Sequence, residues 1–278
     1  MRLIKSSYSI IEQPPGLEGV YKMIEIAGRT CYKSENNITE DSAKGFVDRM
    51  IKSGHGAMLE HGTIYLHMEF ASKEAYFNDE LALKYHNEPH TKALRVRDVA
   101  TDPKGKQHAY ITTNLRVLVE NGWLDDLQYI CEPTEHHIKR VSVRFICDRG
   151  VSHEFVRHRV MSFAQESTRY CNYSKDKFGN EITFISPCWL PDVKAKECFE
   201  YILQKTEQAY FHLLQEGWLP QQARAVLPNS LKTELVMTGF VDDWKHFFFL
   251  RDAAPAHPQA RELAEPLHKE FIERGLIK

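Results

Sequence analysis

The stretch SHEFVRHRVMSFAQESTRYCNYS, residues 152–174, is the densest polar segment of the chain. Three arginines (Arg157, Arg159, Arg169), two histidines (His153, His158) and two glutamates (Glu154, Glu166) fall within its 23 residues. Ser152 is placed to cap a short helix running to about Arg157, and on that helix Glu154 and Arg157, three apart, share a face. Beyond it, Gln165, Glu166, Ser167, Thr168 and Arg169 read as a loop. A helix end meeting such a loop offers guanidinium forks, hydroxyls and backbone N–H groups together, a set suited to a phosphate. The bland alternative is a solvated helix end with surface ion pairs, the usual fate of a charge cluster.

Working outward, Val141, Val143, Phe145 and Cys147 alternate with Ser142, Arg144 and Ile146, which predicts a strand ahead of a turn at Asp148-Arg149-Gly150. Ile64, Leu66, Met68 and Phe70 predict an earlier strand in the same way. The first clear helix starts near Thr39, with Ala43, Phe46, Val47, Met50 and Ile51 on one face and Gly54 at its end. Asp102 to Lys106 reads as an exposed turn. Asn114 to Asn121 reads as a short helix closed by Gly122. Ile182 and Phe184 suggest a short strand ending at Pro187. A long amphipathic helix follows from about Asp192 to Gly217. Pro220 opens a short helix and Pro228 stops it; Thr233, Leu235 and Met237 suggest a strand. Asp242 or Asp243 caps a helix through Arg251, and Pro258 opens the last helix, which Pro266 is expected to kink or break. Helices and separated strands without a regular βαβ rhythm read as one α+β domain over 1–278, a mixed or antiparallel sheet packed by helices.

Bulk properties narrow the function classes. The 278 residues suffice for a substantial core, and 42% hydrophobic with 27% charged residues is ordinary for a globular protein. A formal net charge of −2 argues against a non-specific nucleic-acid binder, so any anion site must be a local cluster of cations. No segment has the length of an apolar membrane span, and the start, Met1 to Ser7, lacks the apolar run of a signal peptide. The six cysteines contain no CxxC pair and read as reduced thiols of a cytoplasmic protein. His55 with His61, or His136 with His137, lack HExxH spacing and a nearby cysteine pair, so the expectation is no metal.

The order Arg157-His158-Arg159, seven residues, Ser167, one residue, Arg169-Tyr170 resembles the signature of the flavin-dependent thymidylate synthases. Further blocks follow in family order. Arg29-Thr30-Cys31-Tyr32 and the stretch Ser53 to His61 lie upstream; Ala223 to Pro228, His246-Phe247 and Leu250-Arg251 lie downstream. The stretch from about 71 to 136 matches no such block and reads as an insertion relative to short members.

The resemblance implies methylation of deoxyuridine monophosphate (dUMP) at C5. Methylenetetrahydrofolate is the one-carbon donor, NADPH reduces a bound FAD, and no enzyme nucleophile takes part. By motif position it places the activating role on Arg251. Flavin contacts fall on His55, Arg157, His158, Arg159, Gln165 and His246. Nucleotide contacts fall on Glu154, Arg157, Gln165, Glu166, Ser167, Thr168, Arg169, Arg224 and Arg251. A homotetramer with active sites between subunits is also implied. Cys171, beside the motif, reads as a packed thiol and not as an attacking group. The chain departs from the pattern at Ala57, at Ala164-Gln165, where relatives commonly have Asn-Glu, and at Phe240 and Asp242. Two alternatives keep the pocket: a related enzyme adding another C5 group such as hydroxymethyl, and a non-catalytic nucleotide-binding homologue.

Overall fold

In this computed structural model, residues 1–97, 106–175, 178–190 and 193–278 are described. The expected turn at Asp102 to Lys106 lies largely outside them. In chain order the elements are β1 (Arg2–Ile4), β2 (Ser7–Ile11), α1 (Gly16–Tyr32), α2 (Ser42–Lys52), α3 (Gly56–Leu59) and β3 (Thr63–Phe70). Then come α4 (Lys73–Asn78), α5 (Glu80–His86), β4 (Lys92–Arg97), β5 (Gln107–Asn114), α6 (Leu115–Asn121), β6 (Arg140–Asp148), α7 (Arg149–Phe155) and β7 (Ser162–Gln165). The chain closes with β8 (Thr183–Ile185), α8 (Val193–Gln215), α9 (Pro220–Ala223), β9 (Lys232–Phe240), α10 (Val241–Arg251) and α11 (Pro258–Glu273).

The strands form an antiparallel β2-β6-β9-β7 sheet, an antiparallel β3-β5-β4 sheet and a small parallel β1-β8 pair. This is the expected α+β class. Alternation gives the larger sheet two different faces. Val141, Val143, Phe145, Leu235 and Met237 point to one side, where they bury with Trp244, Phe247 and Phe248 of α10 and with Leu263, Leu267 and Phe271 of α11. Ala164 and Val236 point to the other, against Met23 and Ala27 of α1. A second core joins α1 and α2 to the β3-β5-β4 sheet through Val20, Ile24, Phe46, Leu66 and Ile111.

Several local expectations need correction. The first helix is α1, before Thr39. Val20, Met23, Ile24 and Ala27 recur at helical spacing, but Pro15 at its N-cap makes no side-chain cap bond and Gly16, Gly19 and Gly28 lower its propensity. Tertiary burial of that stripe overrides the weak signals. The next helix starts at Ser42, whose hydroxyl donates to Glu25 at 2.7 Å, instead of being capped by Thr39. At α7 the cap is Asp148, accepting from Val151 N–H at 2.7 Å, while Ser152 sits inside the helix and bonds back to Arg149 O. Asp243 is the third residue of α10 and accepts the Phe240 N–H at 2.9 Å. Finally, α11 runs unbroken through Pro266. Leu263, Ala264, Leu267 and Phe271 are buried around it, and their burial exceeds the cost of about 3 kcal/mol for an interior proline.

The stretch from 71 to 136 is built into the second core. Residues of β5 pair with those of β3 from Thr63↔Asn114 to Phe70↔Gln107. Asn114 caps α6 and Gly122, at φ 71°, closes it. Tyr85 donates to Asp126 at 2.6 Å, and Lys84 pairs with the same carboxylate. Among the described residues, no helix is long and apolar enough to cross a membrane.

Gly28 marks the closest approach of α1 to α2. A Cβ there would lie 2.5 Å from Phe46 Cζ. Overpacking of about 1–3 kcal/mol then exceeds the gain of up to about 1 kcal/mol that alanine brings inside a helix. Gly28→Ala should therefore lower the urea midpoint. In the Gly28→Ala/Phe46→Leu double variant the losses should be less than additive.

Candidate functional site

Arg251 ends α10 and reaches back to α7. Its Nη1 donates to Glu154 Oε2 at 2.6 Å, its Nη2 to the Glu154 carbonyl at 2.7 Å, and its Nε to His158 Nε2 at 3.2 Å. For His158 to accept that bond its imidazole must be neutral, and the surroundings keep it so. Burial first, then the charges of Arg251 and His246, push it down to about 4. The guanidinium is itself drawn below its ordinary value by burial, an effect Glu154 offsets and Arg157 reinforces. The His158 ring meets His246 at 5.8 Å and the buried Phe247 at 5.1 Å. Three of the five guanidinium N–H groups are thereby engaged, and one on each Nη remains for a ligand.

A second group lies along β7 and the turn after it. Gln165 Nε2 donates to Ser152 Oγ at 2.8 Å and Thr233 Oγ1 at 3.2 Å. Ser152 lies two residues before Glu154, so α7 carries partners of both groups. The Ser167 N–H donates to Cys31 O at 3.0 Å, while its hydroxyl accepts from Arg169 N. Thr168 Oγ1 accepts from Arg224 Nη1 at 3.2 Å, and Arg169 Nε donates to Gln221 at 3.2 Å. The structure therefore gathers Glu154, His158, His246 and Arg251 at one place, with the Arg157 charge felt there. It gathers Gln165, Ser167, Thr168, Arg169 and Arg224 at the other. Arg159 instead borders a hollow of about 480 Å³ with Lys92, Arg116 and Arg140, and His55 stands exposed where α3 begins.

Glu166 and Gln165, though adjacent, are separated by the sheet. Glu166 points to the opposite face of β7, where it is only 2% exposed. There it accepts from Lys232 Nζ at 2.9 Å. Lys232 and Lys33 each donate to Glu234 at 2.6 Å. Burial would raise the Glu234 carboxyl, but the two lysines outweigh it and hold the group down to about 2. Lys33, Ser152, Lys232, Thr233 and Glu234 were missed in the sequence. The available signal was Lys232 and Glu234 two apart in a strand with no other charged residue, which puts both charges on one face. Cys171 is fully buried, as expected of a packed thiol.

A family model described as "Thymidylate synthase complementing protein" matches residues 17–76 and 127–274. The chain belongs to that family. Every residue of the two groups lies within the matched stretches, and residues 77–126 lie outside them. Similar proteins include the flavin-dependent thymidylate synthase of Sulfurisphaera tokodaii, 34% identical over 49% of this chain and 51% of the relative. Its namesake from Pyrococcus furiosus is 31% identical over 48% and 54%. The one from Geobacter sulfurreducens is 34% identical over 42% and 49%. The chain thus matches about half the length of these relatives. Among solved structures, a UMP/dUMP methylase from Streptomyces cacaoi bound with 5-Br dUMP aligns with TM-score 0.44 and 16% identity, over 98% of this chain and 93% of that one.

Two predictions follow from these groups. Because the folded-state value of His158 lies below the ordinary histidine value of about 6.5, its contribution to stability is complete above about pH 6.5. It is lost as pH falls toward about 4, the unfolded chain binding the proton first. His61, buried and pushed down to about 3, acts with the same sign. Urea midpoints should fall between pH 7 and pH 4.5, and fall less in His158→Gln, a difference that isolates His158 from His61. In the ion network, Lys232→Met leaves Glu166 and Glu234 with one cation fewer. Removing one partner of a buried pair costs about 3–5 kcal/mol, so this variant should lose several kcal/mol in urea denaturation while Lys232→Arg retains most of the stability.

Proposed function

We propose that this chain is a flavin-dependent thymidylate synthase that transfers the one-carbon unit of methylenetetrahydrofolate to C5 of dUMP, with FAD as redox cofactor and NADPH as reductant. The observation that carries this reading is the Arg251 clamp. Uracil C5 is a weak nucleophile, and it strengthens when negative charge develops along the N3–O4 edge of the ring. A guanidinium already held on three sides by Glu154 and neutral His158 stabilises that charge without reorganising. One N–H on each Nη remains to donate to the nucleotide. No side chain has to attack the base, in keeping with a fully buried Cys171.

The residues present fit a flavin. His246 stands exposed, backed by the buried His158 and Phe247, and offers an imidazole face to an isoalloxazine ring. Arg157 stands exposed on the same turn, as a counter-charge for phosphates, while Arg159 borders the neighbouring hollow with Lys92, Arg116 and Arg140. FAD supplies the electron transfer that side chains cannot perform. The chain's own task is to hold the nucleotide: Thr168 and Arg224 form a hydroxyl–guanidinium pair beside the 165–169 turn, with Ser167 and Arg169 next to it. Val160, 69% exposed, lies in the turn after α7 that carries His158, and Phe249, 75% exposed, lies on α10 with Arg251. Apolar surface so placed supports a site covered by a further copy of the chain, as in a homotetramer.

Thymidylate formation and flavin absorbance together test the reading. The purified chain should show flavin bands, and its reduced flavin should be reoxidised without oxygen when dUMP and methylenetetrahydrofolate are both added. Arg251→Ala should lower thymidylate formation about a hundredfold or more while retaining flavin. Normal turnover in that variant would remove Arg251 from the chemistry, and a product mass other than that of thymidylate would change the group transferred.

A further inference from the structure

The outer face of the β3-β5-β4 sheet carries a histidine cluster on β3 and β5, apart from the Arg251 clamp and the 165–169 turn. Alternation sends Leu66, Met68 and Phe70 of β3 into the core, and leaves Tyr65, His67 and Glu69 on the opposite face. The antiparallel register sets His67 across from Tyr110 and Glu69 across from His108. His67 and His108 are therefore diagonal neighbours. Their rings stack at 5.2 Å, and Tyr110 stacks on His67 at 4.6 Å. His67 Nε2 lies 3.0 Å from His108 Nδ1, and Glu69 Oε1 lies 3.9 Å from the same His108 nitrogen. One donor atom from each residue falls within 4.8 Å of the others.

We propose that His67, Glu69 and His108 bind one divalent transition-metal ion of borderline softness, of which Zn²⁺ is the type. Two imidazole nitrogens and one carboxylate oxygen are a donor set for such an ion. A tetrahedral centre with bonds of about 2.0–2.1 Å holds its donors about 3.3 Å apart. The observed 3.0 and 3.9 Å bracket that spacing, and the third pair lies within 4.8 Å. The bond between the two rings requires one shared proton. A tautomer shift moves it to the far nitrogen of its ring and frees both facing lone pairs. Lys106 lies 3.5 Å from Glu69 Oε2, so the other carboxylate oxygen is the one that faces His108.

The remaining histidines are placed differently. His137 is turned to the Leu66 carbonyl at 3.1 Å and to Thr134, and His136 packs on Tyr110 at 4.8 Å. Three protein ligands leave the rest of the coordination sphere to water, and Glu69, half exposed, lies at the entrance. Because the ligands come from two strands, the ion would clamp β3 to β5 across the segment that joins them.

The test uses the 278-residue chain, stripped of metal and dialysed against Zn²⁺. The expected result is one ion per chain, with affinity at least about tenfold weaker in His67→Gln and in His108→Gln. Affinity should be reduced in Glu69→Gln and unchanged in His212→Gln, an exposed histidine on α8. Zn²⁺ should raise the melting temperature of the parent chain and not that of His67→Gln. Circular dichroism checks that each variant is folded, and Glu69→Gln, at an exposed position, supplies the ligand test if a histidine variant is not. The proposal is overturned if the parent chain takes up no Zn²⁺, or if the His67→Gln/His108→Gln double variant keeps the parent isotherm. Neither readout depends on thymidylate formation, so failure here is separate from failure of the proposed activity.

Discussion

The pairing of β9 with β6 on one side and β7 on the other is the constraint on which the site depends. Nine successive residues of β9, Lys232 to Phe240, pair with Asp148 to Arg140. All but the first are buried. Side chains alternate, so one register sends Leu235 and Met237 toward α10 and α11 and Lys232, Glu234 and Val236 toward the α1 side. A slip by one residue would drive Lys232 and Glu234 toward Phe145 and Trp244. The same register puts Thr233 beside Gln165 and Glu234 beside Glu166, so neutral and ionic partners never compete for one face.

The two faces handle charge in different ways. On the α1 side, Glu166 and Glu234 are met by Lys33 and Lys232, which makes the group neutral as a whole. Burying an unpaired ion costs several kcal/mol, so a balanced set is the condition for placing these residues under a helix. On the α7–α10 side the balance is left incomplete. Arg251 has Glu154 as its counter-charge, while Arg157 raises the local positive potential and His158 stays neutral. Excess positive charge beside the exposed His246 ring suits an anionic, planar ligand.

The residues left unmatched by the family model, 77–126, are not peripheral to the structure. They supply β4, β5 and α6, and Ala109, Ile111, Leu115 and Leu118 bury with Val20 and Ile24 of α1. Helix α1 faces both cores, and its C-terminal end carries Cys31, whose carbonyl holds Ser167, and Lys33, which reaches Glu234. The second core thus braces the helix that backs the ion network and the 165–169 turn.

Local patterns in the chain determined the strands at 64–70 and 141–147, the capped helix at 114–121, the α+β class and the motif from Arg157 to Tyr170. Each rests on period, cap or order within a short window, and such signals survive without knowledge of distant partners. Tertiary structure alone decided the rest. The helix α1 carried poor start signals and forms because its stripe is buried by two sheets. Pro266 stays inside α11 because the surrounding residues are packed. The opposite duties of Gln165 and Glu166 follow from the face each takes against β9. The clamp on Arg251, drawn from Glu154 and His158 almost a hundred residues away, exists only once α10 has folded back on α7. Sequence order named those residues together; the three hydrogen bonds that give the guanidinium its position come from packing across the core between them.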